Sequence, residues 1–244
     1  MNIHREIFDS AEMIVNFKKP EECKWQYLRE GQLLYIYLHL AVNKPLVDKL
    51  LKKKIKVIAF KIITYNARNL SCLRPMSQMD GRLSIQKRAK YLEKQFGGRG
   101  ILLGGVLGAQ RSCIVIINGS VAETYAAKAS VGIDARVILL HVNPNRLTYF
   151  GDIFGVSVKT LYSTEANTRK VLAQANLVID SFLIPDGKKP KFDRREHLKL
   201  MKLGANIIDI ATDQGGCCES SYITVHYDPI SIEEGIVHYC VGNM

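Results

Sequence analysis

The chain has 244 residues, of which 47% are hydrophobic and 23% are charged. This composition is typical of a globular protein with one large domain or two small ones. The apolar runs, such as those at 113–117 and 177–179, are far too short to cross a bilayer. Residues 1–10 include charged side chains and lack the apolar core of a secretory signal. We therefore expect a cytoplasmic protein that does not enter a membrane.

The net charge is +11, and lysines are concentrated in residues 49–56. A basic charge of this size is one footprint of nucleic-acid binding. No aromatic interleaving or nucleic-acid motif accompanies these lysines, however, and lysines also suit the negative end of a helix dipole. The run is interpreted as a helix end that leads into a strand, with a basic nucleic-acid-binding protein as the less favoured alternative.

The six cysteines do not form a C-x-x-C pair, and no histidine lies at zinc-like spacing from two of them. We expect reduced, mostly structural thiols and no metal site. A strained disulfide between the neighbours Cys217 and Cys218 is a minor alternative.

The first third of the chain alternates strand and helix patterns. Apolar residues 33–38 predict a buried strand, residues 45–54 a short amphipathic helix, and residues 56–62 a second strand. Residues 66–75 are polar and rich in turn formers, which predicts a domain hinge. The pattern is typical of an α/β protein.

The remaining residues predict a doubly wound, Rossmann-like parallel sheet. Apolar residues at helical spacing predict a helix over 82–96, which glycines at 97, 98 and 100 would end. A strand at 113–117, a tight loop at 118–120 and a helix to about residue 130 follow. Further strands are predicted at 136–140, 177–184 and 206–211.

In such a domain the first strand-to-helix turn carries the glycines of a G-x-G-x-x-G fingerprint. Here Asn118, Ser120 and Glu123 stand at the three glycine positions. His141 stands where an acidic residue would bind the ribose. By itself this pattern predicts a weak dinucleotide loop.

Seven further segments occur in a characteristic order without evident insertions. They are Leu28–Gln32, Tyr37–Ala41, Pro75–Ser77 with Gly81-Arg82, Gly97–Gly100, Leu183–Pro185, Asp213–Cys217 and His238–Val241. Through these segments residues 17–244 resemble alanine dehydrogenase, and more distantly the NAD-binding subunit of proton-translocating transhydrogenase. The Asp213–Cys217 segment favours the dehydrogenase.

The resemblance implies NAD-dependent oxidative deamination of L-alanine to pyruvate and ammonia. It implies that Lys18 binds the substrate, that His39 is the general acid/base, and that Asp213 is the catalytic aspartate beside the nicotinamide, all three converging on a cleft between two lobes. It also implies a set of residues that contact NAD: Ser77, Gly119, Val121, Ala122, His141, Arg146, Ser163, Leu183, Ile210, Asp213, Val241 and Met244.

The resemblance further divides the chain into a partial substrate (catalytic) domain at 1–76 and a Rossmann-like NAD-binding domain at 77–244. Members of the family carry additional segments before and after this stretch. We therefore expect a truncated and impaired or inactive form of the enzyme, either a homo-oligomer or a partner of a separately encoded fragment. A non-catalytic pseudoenzyme or gene remnant is the alternative.

Overall fold

The computed structural model describes residues 3–17, 20–38, 43–65, 69–180, 195–212 and 216–242. The chain divides into two compact units, Met1–Met76 and Ser77–Met244. Within the described ranges, no helix combines the length and the apolar character needed to cross a membrane.

The first unit is built on a small parallel sheet whose strands lie in the order β1-β2-β3. Its elements are α1 (Ile3–Ser10), β1 (Met13–Asn16), β2 (Leu33–Ile36), α2 (Lys44–Lys52), β3 (Lys56–Ala59) and the hairpin β4 (Thr64–Tyr65) and β5 (Asn69–Leu70), with 3-10 helices at Glu22–Tyr27 and Phe60–Ile62.

Helix α2 begins and ends as its sequence suggests. The Asn43 side chain accepts a hydrogen bond from the backbone N–H of Leu46, and Pro45 occupies the first turn, where its missing N–H costs nothing. Lys49 and Lys52 lie in the last turn, so the lysine run is a helix end, as predicted. The strand predicted over 56–62 is too long, because residues 60–62 turn into a 3-10 helix.

The second unit contains a seven-stranded sheet in the order β11-β12-β10-β9-β6-β7-β8. Its helices and strands are α3 (Leu73–Tyr91), β6 (Cys113–Ile117), α4 (Val121–Gly132), β7 (Arg136–His141), α5 (Pro144–Phe154), β8 (Val158–Tyr162), α6 (Glu165–Leu172), β9 (Leu177–Asp180), α7 (Arg195–Leu198), β10 (Asn206–Asp209), β11 (Ile230–Glu233) and β12 (Ile236–Tyr239). Every strand pair is parallel except β11 with β12. The predicted α/β class with a Rossmann-like parallel sheet is confirmed.

Strand β6 shows why this sheet could be predicted from the sequence. All five of its residues are buried. Ile114 and Ile116 pack in the core that contains residues of α3, α4 and α5, whereas Val115 packs with residues of α6 and α7 on the opposite face. A parallel strand covered on both faces gives a continuous apolar run.

The helix predicted over 82–96 begins earlier and ends sooner. Helix α3 starts at Leu73, so the expected hinge at 66–75 includes the first turn of a helix, a turn in which Pro75 is tolerated. Gly81 lies inside this helix for a packing reason. A Cβ added there would be 2.1 Å from the carbonyl oxygen of Ala122, so the close approach of α3 to α4 requires glycine.

Other boundaries also differ from expectation. The strand predicted over 177–184 is present as β9 up to Asp180, and the rest of that prediction, residues 181–184, lies outside the described ranges. Strands β8, β11 and β12 were not predicted, since each is short and only partly apolar.

Candidate functional site

The carboxyl ends of the parallel strands form one edge of the large sheet. From β6 the chain passes to its neighbour β7, whereas β9 lies on the other side of β6. The strand order therefore reverses between β6 and β9. Open α/β sheets bind ligands in the crevice outside the carboxyl ends of the strands at such a switch point.

The loop that follows β6 keeps the turn that the first glycine of the fingerprint would form, although an asparagine stands at that position. Asn118 has φ +72°, in the left-handed region that asparagine tolerates better than most residues. Its side-chain Nδ2 donates to Oδ1 of Asp180, 3.1 Å away at the end of β9. Both side chains are buried. Sequence reasoning did not pair them, because they are far apart along the chain.

Gly119 is retained for packing. A Cβ at this position would lie 2.4 Å from Cε2 of Phe150 and 2.8 Å from Cδ2 of His141. Only glycine lets the loop lie against the ring on α5 and the imidazole at the end of β7.

The first turn of α4 is closed by its own side chains. Ser120 and Glu123 form a capping box, in which the Ser120 backbone N–H donates to Oε2 of Glu123 at 3.0 Å. The Ser120 hydroxyl donates to the same carboxylate oxygen. Glu123 is 0% exposed. A carboxylate thus takes up a donor at the helix end where a phosphate group would otherwise bind.

His141 ends β7 beside this loop. Its Nδ1 accepts a hydrogen bond of 2.8 Å from the backbone N–H of Asn143, so the neutral ring carries its proton on Nε2. Partial burial, and then the positive charge of Arg146, lower the pKa of His141 below its ordinary value. The imidazole is therefore a neutral hydrogen-bond donor at pH 7.

Arg146, on α5, places a positive charge against the same loop. Its guanidinium donates to the carbonyl oxygen of Gly119. The guanidinium carbon lies 4.4 Å from the ring centroid of Tyr149 and 4.9 Å from that of Phe150. The two rings hold the guanidinium in place through cation–π contacts.

Ser163 is adjacent to His141 because β7 and β8 are paired. Its backbone N–H donates to the carbonyl of His141 at 3.0 Å. Its hydroxyl is buried without a hydrogen-bond partner among the described residues. This hydroxyl therefore keeps the capacity to form a hydrogen bond with a ligand group at this strand end.

The other predicted cofactor residues in the described ranges occupy α3, the start of α4 and the same sheet edge. Ser77 is half-buried on α3, and Val121 and Ala122 form the first turn of α4. Ile210 directly follows β10 and donates its N–H to the Asp180 carbonyl at 2.9 Å, and Val241 follows β12 and is buried. The predicted site residues Lys18, His39, Leu183, Asp213 and Met244 lie outside the described ranges.

Asp209 is a residue that sequence reasoning missed. It ends β10 and is 1% exposed. One carboxylate oxygen accepts from the N–H of Ala211 at 3.0 Å, and the other accepts from the N–H groups of Cys217 and Cys218. Asp209 therefore anchors both flanks of the segment that includes Asp213. The signal was present, because an acidic residue ends an apolar strand.

His238 is buried, and both of its ring nitrogens form hydrogen bonds within the protein. Its Nδ1 lies 3.1 Å from the carbonyl of Ile236 and its Nε2 lies 2.9 Å from the Ser220 hydroxyl. The ring therefore donates through Nδ1 and accepts through Nε2.

All six cysteines lie in the described ranges and are free thiols, as the sequence predicted, so no disulfide joins Cys217 to Cys218.

Glu165, Glu196 and His197 bring three possible metal-ligating atoms within 4.8 Å of one another. Arg169 lies 3.6 Å from one carboxylate and 3.9 Å from the other, and His197 Nε2 lies 3.0 Å from Glu165. The hydrogen bond with His197 is the main cause of the lowered pKa of Glu165. Because Arg169 lies within ion-pair distance of both carboxylates and His197 is hydrogen-bonded to Glu165, we interpret the group as an ion-pair network that joins α6 to α7.

Two family models match the chain. Residues 1–80 match the alanine dehydrogenase/PNT N-terminal domain, and residues 84–244 match the C-terminal domain of the same family.

Curated relatives and solved structures agree with these matches. An alanine dehydrogenase of Methanococcus maripaludis is 45% identical over 98% of this chain and 65% of its own length. Alanine dehydrogenase 2 of Staphylococcus aureus is 43% identical over 96% of this chain and 63% of its own length. The chain thus spans just under two thirds of the length of these relatives.

An L-alanine dehydrogenase structure superimposes on 98% of the chain and 66% of its own, with a TM-score of 0.90 and 39% identity. A transhydrogenase from Sinorhizobium meliloti, at 16% identity, shares the fold with a TM-score of 0.79 over 98% of this chain and 69% of its own. The matches cover both units and place the two family domains in the same order along the sequence. The chain belongs to the alanine dehydrogenase/PNT family.

Proposed function

We propose that this chain carries the chemistry of an alanine dehydrogenase: interconversion of L-alanine with pyruvate and ammonia, with hydride transfer to and from a nicotinamide dinucleotide. The observation that carries the proposal is the match to proteins of that name across nearly the whole chain. The switch-point crevice with its loop at 118–120 supports it, since this is where such a dinucleotide binds in related folds.

The proposed roles of the reacting residues follow from the resemblance. His39 would take up and return the proton, because an imidazole titrates close to neutral pH. Lys18 would hold the carboxylate or keto oxygen of the substrate, and Asp213 would act beside the nicotinamide. The proposal includes a cytoplasmic location and an assembly of like subunits.

The nucleoside end of the crevice fits the cofactor. Asn118 keeps the left-handed turn, Gly119 keeps the loop close to β7, and the unpartnered Ser163 hydroxyl lies next to His141. A dinucleotide bound there would supply the hydride acceptor. The protein's own residues would position the dinucleotide and form hydrogen bonds with it.

The pyrophosphate end is less favourable. Glu123 holds a carboxylate at the start of α4, and two like charges about 4 Å apart cost roughly 1 kcal/mol in water and roughly 4 kcal/mol near a protein surface. At about 1.4 kcal/mol per decade, this repulsion weakens binding by roughly fivefold to a thousandfold. We therefore propose an impaired dehydrogenase. The alternative that Glu123 favours is a non-catalytic relative.

Removing the charge of Glu123 tests the proposed impairment of dinucleotide binding. The variant Glu123→Gln keeps an oxygen that accepts from the Ser120 N–H but removes the negative charge. Titration calorimetry should show NAD binding at least about fivefold tighter in this variant than in the unaltered chain. Asp152→Asn, which removes an exposed charge from α5, is the matched control and should change affinity less than about twofold.

Turnover is measured separately, by following NADH absorbance with L-alanine and NAD at alkaline pH. Activity that the Glu123→Gln variant increases and a His39→Ala change abolishes would support the dehydrogenase. Dinucleotide binding without turnover in either form would favour the non-catalytic relative. Absence of binding in both forms would contradict the cofactor site itself.

A further inference from the structure

The end of β7 is free of acidic residues. His141 stands at its last position, and residues 135–151 contain no aspartate or glutamate. The neighbouring strand β8 is followed by Ser163 and Thr164. The nearest acid along the chain beyond them, Glu165, is exposed and engaged with Arg169 and His197. Glu123, on α4, directs its carboxylate to Ser120.

Hydrogen-bond donors occupy this end of the crevice instead. Arg146 donates to the Gly119 carbonyl and is held over two aromatic rings. A guanidinium has five N–H donors, and Arg146 forms no salt bridge with any carboxylate in the described part of the chain. The Nε2–H of His141 is a further donor, since Nδ1 is occupied by the Asn143 N–H.

The two common nicotinamide dinucleotides differ at the ribose. A carboxylate at the end of this strand accepts a hydrogen bond from the 2′-hydroxyl of NAD, whereas an arginine nearby accommodates the 2′-phosphate of NADP. A carboxylate would also repel that phosphate. At this site the carboxylate is replaced by a neutral donor, and a guanidinium lies against the same loop.

We propose that the dinucleotide bound by this chain carries a 2′-phosphate, so that NADP is preferred over NAD. The proposal rests on the dinucleotide site of the proposed function and specifies its ligand. The phosphate would bind between Arg146 and His141. The Ser163 hydroxyl would be the third member of this group of donors at the strand ends. Because hydrogen bonds to charged groups are each worth about 1.5–3 kcal/mol, the expected preference is roughly 10- to 100-fold.

The test compares ligands that differ by the single phosphate. Titration calorimetry on the full chain measures the affinities of NADP and NAD, and of adenosine 2′,5′-bisphosphate and AMP. The expected result is tighter binding of the 2′-phosphorylated member of both pairs by roughly 10- to 100-fold. If NAD and AMP bind as tightly as NADP and adenosine 2′,5′-bisphosphate, or more tightly, the proposed preference for NADP is overturned. The proposed dehydrogenase function would remain intact. Absence of binding by all four ligands would contradict both.

Two variants assign the preference to its residues. His141→Asp should reverse the preference toward NAD, and Arg146→Gln should lower the ratio of NADP to NAD affinity by about tenfold or more. Arg136→Gln is the matched control, because Arg136 is an exposed arginine at the opposite end of β7. If Arg136→Gln lowers the ratio as much as Arg146→Gln does, the preference reflects the basic charge of the whole chain, and the assigned site is wrong.

Discussion

The two parallel sheets of this chain are covered to different extents. In the large sheet, Val115 and Ile116 of β6 point to opposite faces and both are 0% exposed. In the small sheet, Leu34 of β2 is also 0% exposed, but Met13 and Val15, on one face of β1, are 49% and 65% exposed. One sheet is packed on both faces, whereas the edge strand of the other has one open apolar face.

The difference does not follow from strand composition, because β1 and β6 are both largely apolar. It follows from the helices that cover each sheet. The large sheet has helices on both faces, and the small sheet packs mainly against α1 and α2. An apolar run therefore predicts a strand, but it does not predict how many faces of that strand will be buried.

The largest expected effect is a core truncation in the large sheet. Ile116→Ala should lower the free energy of unfolding of the second unit by about 2–5 kcal/mol, because it leaves a cavity in a fully packed core. Val15→Ala in the small sheet should change it by less than about 0.5 kcal/mol. Urea unfolding followed by hydrogen exchange resolves the two units. Equal losses from the two substitutions would show that the comparison is wrong.

The second prediction concerns a cation buried in the second unit. Arg88 on α3 is 0% exposed, and its Nη2 donates to the Ile207 carbonyl at 2.5 Å. The ring of Tyr239 lies 4.8 Å from its guanidinium, while Nε and Nη1 have no hydrogen-bond partner among the described residues. Burial lowers the pKa of Arg88 to about 9. Replacement by methionine, which fills similar space without charge, should raise the free energy of unfolding by about 1–4 kcal/mol.

The pH dependence of Arg88→Met has a definite sign. Between about pH 9 and the higher pKa of an ordinary arginine, the unfolded chain binds one more proton at Arg88 than the folded chain does. The original protein therefore gains stability as the pH rises through this range, and the methionine variant lacks that gain. Unfolding curves from pH 7 to pH 10.5 should show the advantage of the variant narrowing above pH 9. A constant difference, or a less stable variant, would contradict the assignment of a buried charge.

The smallest expected effect concerns a cation in the first unit that is only half-buried. Lys53 Nζ donates to the carbonyls of Trp25, Gln26 and Leu28, at 3.2, 2.9 and 2.5 Å. Burial, followed by repulsion from Lys49, lowers its pKa. Lys53→Met should destabilise the unit by about 1–2 kcal/mol, since three carbonyls lose a charged donor.

The control for Lys53 is its neighbour Lys54. It forms an exposed ion pair with Glu30 at 2.8 Å. Lys54→Met should change stability by less than about 0.5 kcal/mol. Thermal unfolding of the two variants separates a lysine that caps carbonyls from one that only pairs at the surface, and equal shifts would remove the distinction.

Much of the fold was predictable because it depends on local patterns. The continuous apolar runs of β6 and β7, and the helix between them, were predicted within a few residues. Strand β8 was missed because its sequence, VKTLY, is short and is neither a continuous apolar run nor a regular alternation of apolar and polar residues. The early start of α3 was missed because polar residues and a proline stand in its first turn.

The candidate site was only partly predictable. The positions of the altered loop residues followed from the strand-turn-helix pattern and the family resemblance. The hydrogen bond of Asn118 to Asp180 and the anchoring role of Asp209 did not. Each of these depends on which strands are neighbours at the sheet edge or on how a following loop folds back.

The sequence by itself determined the α/β class, the family motifs and the identities of the residues at the end of β6 and β7, since these are carried by spacing along the chain. Only the tertiary structure decided that Asn118 pairs with Asp180 and that Arg146 lies against Gly119. Contacts of this kind depend on strand order and helix placement. A local pattern carries no information about them until the sheet has assembled.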